Sequence, residues 1–581
     1  MKAMQTVLGA LESRVKAALD DAERAEVVKR IWKKDPALWK DDEASQKIIR
    51  NALGWLTVPD EMLGVVDELS EFAQLIRSRG FKTVMVCGMG GSSLCPEVLA
   101  KTFGRQSGFP ELLVLDSTDP DVLAALLDRI EPEKCLFIIS SKSGSTTEPN
   151  TFYKFWYDQL SKRVDEPGNN FIAITDPGSS MLETADKLKF QRTFLNQPDI
   201  GGRYSALSFF GIVPAVLMGI DIRKFLNRAK EAEQSCSPVM PSAKNSALEL
   251  GIVIGECANA GRDKLTLVID DQISTLGLWV EQLIAESTGK EGKGVLPVAG
   301  DALGCVNEYS NDRLFVSISV GEPSAETKST LVALADAGHP VVYRELNDIY
   351  DLSAEFFMWE FATACAGWRI GINPFDQPNV QESKDATKEL LERFAVHGQL
   401  PEQHQLVADD AIAVYAETKI DWLPTTSTLD LVRTFLSTVK QGDYIALLDY
   451  LEETDGIEAE IQQIRLVLRD ATRWATTTGY GPRFLHSTGQ LHKGGPPTGV
   501  FFQVTANDRT DFAVPGEPYT FSILKQAQAL GDFHSLSTRG RRAIRVDLGN
   551  DTMGGLKRLR ELIGESLGVQ KMKSDVATRQ L

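Results

Sequence analysis

An alternation of apolar strands and helical stretches, which begins near Lys82, constrains the fold of this chain more than any other feature of its sequence. Short apolar runs are separated by stretches with helical spacing, such as Asp121–Ile130 and Thr151–Lys162. Alternation of this kind predicts a parallel β-sheet that is covered by helices on both faces. The strands predicted for this first sheet are Lys82–Cys87, Glu111–Asp116, Cys135–Ser140 and Asn170–Asp176.

The alternation recurs twice, and 581 residues suffice for three or four domains at roughly 150 residues each. The strands predicted for the second and third sheets are Lys264–Asp270, Arg313–Val320, Pro340–Leu346, Asp443–Leu448, Val500–Thr505 and Arg542–Leu548. We therefore predict an α/β protein of four parts. These parts are a helical N-terminal segment (1–65), a first sheet domain (66–240), a second sheet domain (241–397) and an additional C-terminal α/β domain (398–581).

Charge and composition exclude several classes of protein. The formal net charge of −18 disfavours nucleic acid and anionic membranes as general partners. The sequence contains no run of about 18 apolar residues, which a transmembrane helix would need, and its N-terminus lacks the apolar core of a signal peptide. The seven cysteines are scattered and form no CxxC pair, as is usual in a reducing compartment. We expect a cytoplasmic protein.

Two polar clusters directly follow predicted strands of the first sheet. The first is the glycine cluster Gly88–Ser93 (GMGGSS), and the second is the serine cluster Ser140–Glu148 (SSKSGSTTE). Glycines and hydroxyls at the start of a helix can bind a phosphate through backbone N–H groups and the positive end of the helix dipole. Each cluster could instead be a tight turn or a helix cap. The position at the carboxyl edge of a parallel sheet favours phosphate binding for the serine cluster.

Four further clusters contain residues suited to proton transfer or anion binding. Arg203 lies in GGRYS before an apolar helix, and Gln282 and Glu286 are four residues apart, so they share one helix face. Lys384 follows the proline-containing loop NPFDQPNVQESK. A glycine-rich loop at 486–495 contains two of the six histidines, and histidine is the usual proton shuttle at neutral pH. No spacing typical of a metal site is present.

Taken together, these clusters resemble the motifs of the phosphoglucose isomerase family, in the family's order, from about 60 to 395. The matching segments are GMGGSS, SKSGSTT, GGRYS, QLIAESTGK and NPFDQPNVQESK. The resemblance implies two SIS (sugar isomerase) domains, each a five-stranded parallel sheet flanked by helices. The chain is most similar to the isomerase portion of fused transaldolase–isomerase proteins. We see no transaldolase portion, and whether a separate transaldolase associates with the chain is open.

The resemblance implies interconversion of glucose 6-phosphate and fructose 6-phosphate through a cis-enediol, without metal or other cofactor. Glu286 would carry the proton between C2 and C1, and Arg203 would stabilise the enediolate. Gln282 and Gln377 would line the sugar, and Lys384 would assist ring opening. The residues implied at the phosphate and its surroundings are Gly91, Ser92, Ser141, Lys142, Ser143, Thr146 and Gly202. The family also implies a homodimer.

The histidine departs from the family pattern. The family has a catalytic histidine between the glutamate and lysine motifs, where this chain has only His339 in a poorly matching setting. The segment STGQLHKGG around His492 is similar to a family segment, but it follows Lys384 instead of preceding it. Our hypothesis is that His492, from the C-terminal domain, acts in ring opening. His486 and His339 remain alternatives.

Other functions also use related domains. An isomerase that also accepts mannose 6-phosphate would need the same residues, so the sequence leaves it open. A sugar-phosphate-binding regulator would have no need of Glu286, Arg203 and Lys384 together. A glutamine-dependent sugar-phosphate aminotransferase would need an N-terminal cysteine nucleophile, whereas Lys2 occupies residue 2.

Overall fold

The computed structural model describes residues 4–417 and 426–569, which form three β-sheets flanked by helices. The N-terminal segment packs mainly as helices against the first two sheets, and Trp55 is fully buried against Tyr204 and Phe357. It also contains strand β1 (Gln5–Val7), which the sequence did not predict. The helices of this segment and the helix that follows it are α1 (Glu12–Arg24), α2 (Val27–Trp32), α3 (Glu43–Arg50), α4 (Val58–Gly64) and α5 (Val66–Ser78).

The first sheet has five parallel strands, as the family resemblance implies. Its strands are β2 (Thr83–Cys87), β3 (Glu111–Leu115), β4 (Cys135–Ser140), β5 (Phe171–Thr175) and β6 (Arg192–Leu195). The spatial order is β3-β2-β4-β5-β6. Its helices are α6 (Leu94–Phe103), α7 (Pro120–Arg129), α8 (Thr147–Ser161), α9 (Ser180–Lys187), α10 (Phe209–Leu217) and α11 (Ile222–Ser235).

The second sheet also has five strands, but it is not wholly parallel. Strand β1 forms the edge of the sheet and pairs antiparallel with β10 (Val341–Leu346), and an antiparallel pair needs no crossover helix between its strands. The other strands are β7 (Lys264–Ile269), β8 (Leu296–Val298) and β9 (Arg313–Val320), in the order β1-β10-β9-β7-β8. The helices are α12 (Ser246–Asn259), α13 (Leu276–Thr288), α14 (Ala325–Asp336), α15 (Leu352–Ile370) and α16 (Pro378–His397).

The C-terminal domain has a six-stranded sheet in the order β11-β12-β16-β15-β13-β14, with β11 and β12 antiparallel to their neighbours. Its strands are β11 (His404–Ala408), β12 (Ala413–Ala416), β13 (Tyr444–Tyr450), β14 (Ala475–Tyr480), β15 (Gly499–Thr505) and β16 (Arg542–Asp547). Its helices are α17 (Thr428–Leu436), α18 (Asp455–Thr472), α19 (Gly489–Gly494), α20 (Phe521–Thr538) and α21 (Thr552–Ser566).

Apolar contacts join the C-terminal domain to both other sheet domains. Phe521 at the start of α20 packs against Phe155 of the first domain, and Leu491 belongs to the same cluster as Ala285 and Leu296 of the second. The α/β class and the two SIS-type sheets are confirmed, whereas the domain bounds remain a prediction. No helix among the described residues is both long enough and apolar enough to cross a membrane.

Candidate active site

Two glycines of the glycine cluster allow three backbone segments to meet. A Cβ on Gly91 would lie 1.9 Å from the carbonyl oxygen of Gly202, so no larger residue fits there. Gly90 has a φ of +55°, and a Cβ there would lie 2.7 Å from Gln282 Nε2 and 2.9 Å from the carbonyl oxygen of His486. The glycine cluster therefore brings the first domain into contact with α13 and with the C-terminal domain.

Glu286 lies in the last turn of α13 and is buried, with 7% of its surface exposed. Its Oε1 is 3.4 Å from Arg203 Nη1, and its Oε2 accepts a hydrogen bond of 3.2 Å from Gln282 Nε2. The Oε1 atom of Gln282 is buried and has no hydrogen-bond partner. Glu286, Arg203 and Gln282, which come from two predicted motifs, are thus neighbours around one carboxylate.

Arg203 is buried and joins α13 to the loop before α16. It donates hydrogen bonds to Ser287 Oγ at 2.7 Å, to Gln377 Oε1 at 2.9 Å, and to the carbonyl oxygens of Pro374 and Asp376 at 2.7 and 3.0 Å. A buried guanidinium requires such partners, because an unpaired charge in the interior is costly. The contacts fix the guanidinium beside the Glu286 carboxylate.

Lys290 also contacts the loop before α16. Its Nζ lies 2.6 Å from Asp376 Oδ1 and also donates to the Asp376 carbonyl oxygen. Burial, assisted by the nearby charge of Arg203, lowers the pKa of Lys290 to about 8. Arg203 and Lys290 together place Gln377, at the start of α16, next to the Glu286 cluster.

The serine cluster forms the turn between β4 and α8. Ser140 Oγ donates to the carbonyl oxygen of Ser92 at 3.0 Å, and the Oγ atoms of Ser143 and Ser145 are 3.0 Å apart. Ser141 Oγ is buried and has no hydrogen-bond partner. Thr146 is the N-cap residue of α8 but makes no side-chain capping bond. The unpaired hydroxyl and the uncapped N–H groups of a 15-residue helix are donors suited to an anion.

Lys142 is turned away from this turn. Its Nζ pairs with Asp176 and donates to the carbonyl oxygen of Pro198 at 2.8 Å. The predicted direct contact between Lys142 and phosphate therefore requires a change of side-chain conformation and remains a prediction.

A cleft of about 480 Å³ lies between the serine cluster, α16 and the C-terminal domain. Lys384 lies exposed on its α16 wall. Glu286 is not among the residues that line the cleft; it lies behind Gln282, whose amide donates to the His486 carbonyl oxygen at 2.6 Å. Residues from three parts of the chain line the cleft, among them Ser145, Thr147, Glu148, Lys384, His486 and Gln528.

His486, and not His492, faces this cleft. His492 is buried against the rings of Tyr444 and Phe501, and its Nδ1 lies 2.8 Å from Tyr444 Oη. Its Nε2 has no hydrogen-bond partner. Burial, followed by the charges of Lys493 and Arg541, lowers the pKa of His492 well below its usual value. His339 is also buried, against Phe315, and burial lowers its pKa to about 4. The placement of His492 therefore gives our preference for it no support.

Glu148, to which the sequence analysis assigned no role, lies beside His486. Its Oε1 is 3.3 Å from His486 Nε2 and accepts a 2.7 Å hydrogen bond from Gln528 Nε2. Burial acts to raise the pKa of Glu148, but the charges of His486 and Lys384 and the hydrogen bond to His486 outweigh it, so the pKa lies below its usual value. The position of Glu148 at the end of the serine cluster could have identified it as a candidate site residue. Gln528 lies in no motif that could have identified it.

Residues 54–302 match the family model described as phosphoglucose isomerase. The chain is 27% identical over 386 residues to a probable glucose-6-phosphate isomerase of Methanococcus maripaludis, across 60% of this chain and 86% of that protein. It is 28% identical over 406 residues to a glucose-6-phosphate isomerase of Carboxydothermus hydrogenoformans, across 60% and 87%. Residues 54–302 of the chain therefore form a phosphoglucose isomerase domain.

A solved structure of a glucose-6-phosphate isomerase shares the fold. The chain superposes on a glucose-6-phosphate isomerase from Chlamydia trachomatis with a TM-score of 0.55 and 19% identity, across 67% of this chain and 87% of that one. The family model includes the serine cluster, Arg203 and Glu286, but it ends at residue 302, before Lys384 and His486. The comparisons do not show fusion with a transaldolase.

Proposed function

We propose that this protein interconverts glucose 6-phosphate and fructose 6-phosphate by proton transfer through a cis-enediol. The observation that carries the proposal is the buried pair of Glu286 and Arg203, 3.4 Å apart, with Gln282 bonded to the same carboxylate. A carboxylate base beside a fixed cation is what proton abstraction next to a carbonyl group requires. The names of the relatives support the same reaction.

The phosphate would bind at the start of α8. Ser141 Oγ, which is buried without a partner, and the free N–H groups of the first turn would donate to its oxygens. Ser92, Ser143, Thr146 and Gly202 belong to the same surroundings, and the lack of a side chain at Gly91 lets the glycine cluster lie against Gly202. Binding the phosphate at one end would hold the sugar for reaction at the other.

The proton transfer would occur at Glu286. Its carboxylate would take the proton from C2 of the open-chain aldose, so that the C2–H bond breaks as the C1–C2 enediol forms. The carboxyl group would return that proton to C1, while the O2 hydroxyl proton moves to O1. Arg203 would stabilise the developing negative charge on these oxygens. The Gln282 Oε1 atom and Gln377 would bind sugar hydroxyls.

Ring opening would come before this step and would use His486. A glucose 6-phosphate ring opens when the ring oxygen gains a proton and the C1 hydroxyl loses one. His486 lies in the cleft, and Glu148 holds its ring by a 3.3 Å contact at Nε2. Lys384 faces the same cleft and would assist. We therefore prefer His486 to His492 for this role.

A coupled assay tests the function directly. Purified protein should convert fructose 6-phosphate to glucose 6-phosphate at a rate that EDTA leaves unchanged, because the proposed steps use only side chains of this chain. Absence of turnover would remove the proposal, and loss of turnover with EDTA would remove its metal-free part. Mannose 6-phosphate should be assayed in parallel. Homodimer formation, cytoplasmic location and any transaldolase partner remain predictions.

A histidine comparison tests the ring-opening step. We expect His486→Gln to lower kcat for glucose 6-phosphate by about 10²-fold, the lower range for a general acid–base group. It should leave intact the exchange of the C2 proton of erythrose 4-phosphate with D₂O, because the phosphate on O4 prevents that sugar from closing a furanose ring. His492→Gln and His339→Ala should keep both activities, measured by coupled assay and by NMR. Selective loss in either of these two variants would reassign the role.

A further inference from the structure

The segment after β3 contacts the C-terminal domain through three ion pairs. In each pair the first domain supplies the carboxylate and the C-terminal domain supplies the cation. Asp116 pairs with Arg483, Asp119 with Lys525, and Asp121 with Arg509. The three carboxylates lie within six residues, and all three cations belong to the C-terminal domain. We call residues 116–121 the acidic seat. Asp119 and Asp121 also lie close enough to Asp508 to hold a cation, but Lys525 and Arg509 already bind these carboxylates.

The pair of Asp116 and Arg483 is the most constrained of the three. Arg483 Nε and Nη2 donate to the two carboxylate oxygens at 2.9 and 2.8 Å, and Ser93 Oγ donates to the same carboxylate at 3.0 Å. Asp116 is 3% exposed. A two-point contact between a planar guanidinium and a buried carboxylate fixes orientation as well as distance.

Arg483 and His486 are the first and last residues of one short 3₁₀ helix, Arg483–His486. The helix is fixed at its first residue by Asp116 and at its last by Gln282, which donates to the His486 carbonyl oxygen. The His486 ring is the part left to face Glu148. A change in the Arg483 contact would therefore turn or shift this ring.

The acidic seat also reaches Glu148 by a second route. Thr118 Oγ1 donates to Gln528 Oε1 at 2.6 Å, which fixes the amide of Gln528 so that its Nε2 donates to Glu148 Oε1 at 2.7 Å. The acidic seat therefore contacts both sides of the His486–Glu148 pair. Asp116 binds the helix that ends at His486, and Thr118 binds Gln528, which donates to Glu148.

We propose that Asp116 and Arg483 are positioning residues that set the orientation of His486 toward Glu148. The proposal rests on the ring-opening role given to His486 above. The ion pair lies between two domains. Its loss should slow the ring-opening step and leave proton transfer at Glu286 unchanged.

The test compares two ion pairs of the acidic seat. Arg483→Gln should lower kcat for glucose 6-phosphate by roughly 10- to 100-fold, the cost of misplacing a catalytic group by about an ångström. It should leave KM and the C2 exchange of erythrose 4-phosphate unchanged. Arg483→Lys, which keeps the charge without the two-point contact, should fall in between. The matched control is Arg509→Gln, whose side chain is 70% exposed and lies outside the 3₁₀ helix.

Side-chain NMR of the histidines gives a readout that does not depend on activity. The imidazole signals of His486, assigned with His486→Gln, should shift in Arg483→Gln and in the nearly isosteric Asp116→Asn, but not in Arg509→Gln. Unchanged His486 signals, or equal losses on both sugars, would overturn the proposal, as would an equal effect of Arg509→Gln. If the unaltered protein did not turn over glucose 6-phosphate, the proposed function would fail, and the NMR comparison would still decide whether Arg483 positions His486. Should Arg483→Gln not fold, Asp116→Asn decides by the same signals.

Discussion

Replacement of Glu286 by glutamine is expected to lower kcat for fructose 6-phosphate by about 10³- to 10⁴-fold, within the range that general-base catalysis contributes. Glutamine has nearly the size of glutamate, and its amide oxygen can replace one of the two carboxylate oxygens, either beside Arg203 or as the acceptor for Gln282. It cannot accept a proton from carbon. The variant should also lose exchange of the C2 proton of erythrose 4-phosphate, which separates Glu286 from the ring-opening residues. Both rates can be measured with one protein preparation.

Glu281, the neighbour of Gln282 on α13, provides the matched control. Burial, partly opposed by the charge of Arg465, raises the pKa of Glu281 to about 8, so its side chain is largely neutral at pH 7. Glutamine resembles that neutral form, and Glu281→Gln should therefore fold and keep its activity. If Glu286→Gln turned over substrate as fast as Glu281→Gln, Glu286 would not be the base.

The sheets were predictable because their strands are buried on both faces and therefore read as continuous apolar runs. Strand β4, for example, has the predicted bounds Cys135–Ser140. Six strands were missed, namely β1, β6, β8, β11, β12 and β14, and four of them were missed for related reasons. Strands β1 and β8 have three residues each, too few to show a period. Strand β6 begins with Arg192, and β14 consists largely of threonine, glycine and tyrosine, so neither has the apolar signature.

The sequence predicted which residues would surround Glu286 but not which histidine would face the cleft. Arg203, Gln282 and Gln377 lie in motifs whose order along the chain matches the family, and the fold brings all three to Glu286 or to one another. His486 and His492 lie six residues apart in a segment that the sequence indicated as one loop, but His486 ends a 3₁₀ helix and His492 lies in α19. Which of them faces the cleft depends on how the third sheet docks, and the ion pairs that fix the docking connect residues hundreds of positions apart.

The side-chain directions of Lys142 and Lys384 show a second limit of sequence reasoning. Both were placed by motif, yet Lys142 is paired with Asp176, a residue at the end of another strand, and Lys384 is exposed on the cleft wall. A motif locates a residue in the sequence but does not give the direction of its side chain. The partner of a long charged side chain depends on neighbours that only the three-dimensional structure brings together.

Replacement of Arg203 by lysine is expected to lower kcat by about 10²- to 10³-fold, as removal of one preorganised donor does in other enzymes that stabilise an oxyanion. Lysine keeps the positive charge, but its single ammonium group cannot satisfy Ser287, Gln377 and two carbonyl oxygens while remaining beside Glu286. The acceptors left unpaired should also cost about 1–3 kcal/mol of folding free energy each where they stay buried. Activity should be measured at saturating substrate, and stability by urea unfolding.

Arg344→Lys separates the loss of stability from the loss of catalysis. Arg344 is buried and its Nε donates to both carboxylate oxygens of Glu355, at 3.1 and 2.9 Å, between β10 and α15. The control should therefore lose stability like Arg203→Lys and keep its kcat at temperatures below unfolding. If the two variants lost kcat equally, the effect at Arg203 would come from the fold. If Arg203→Lys kept full kcat, the enediolate would have to be stabilised by another group, and Lys290, which lies next to the same loop, would be the residue to replace next.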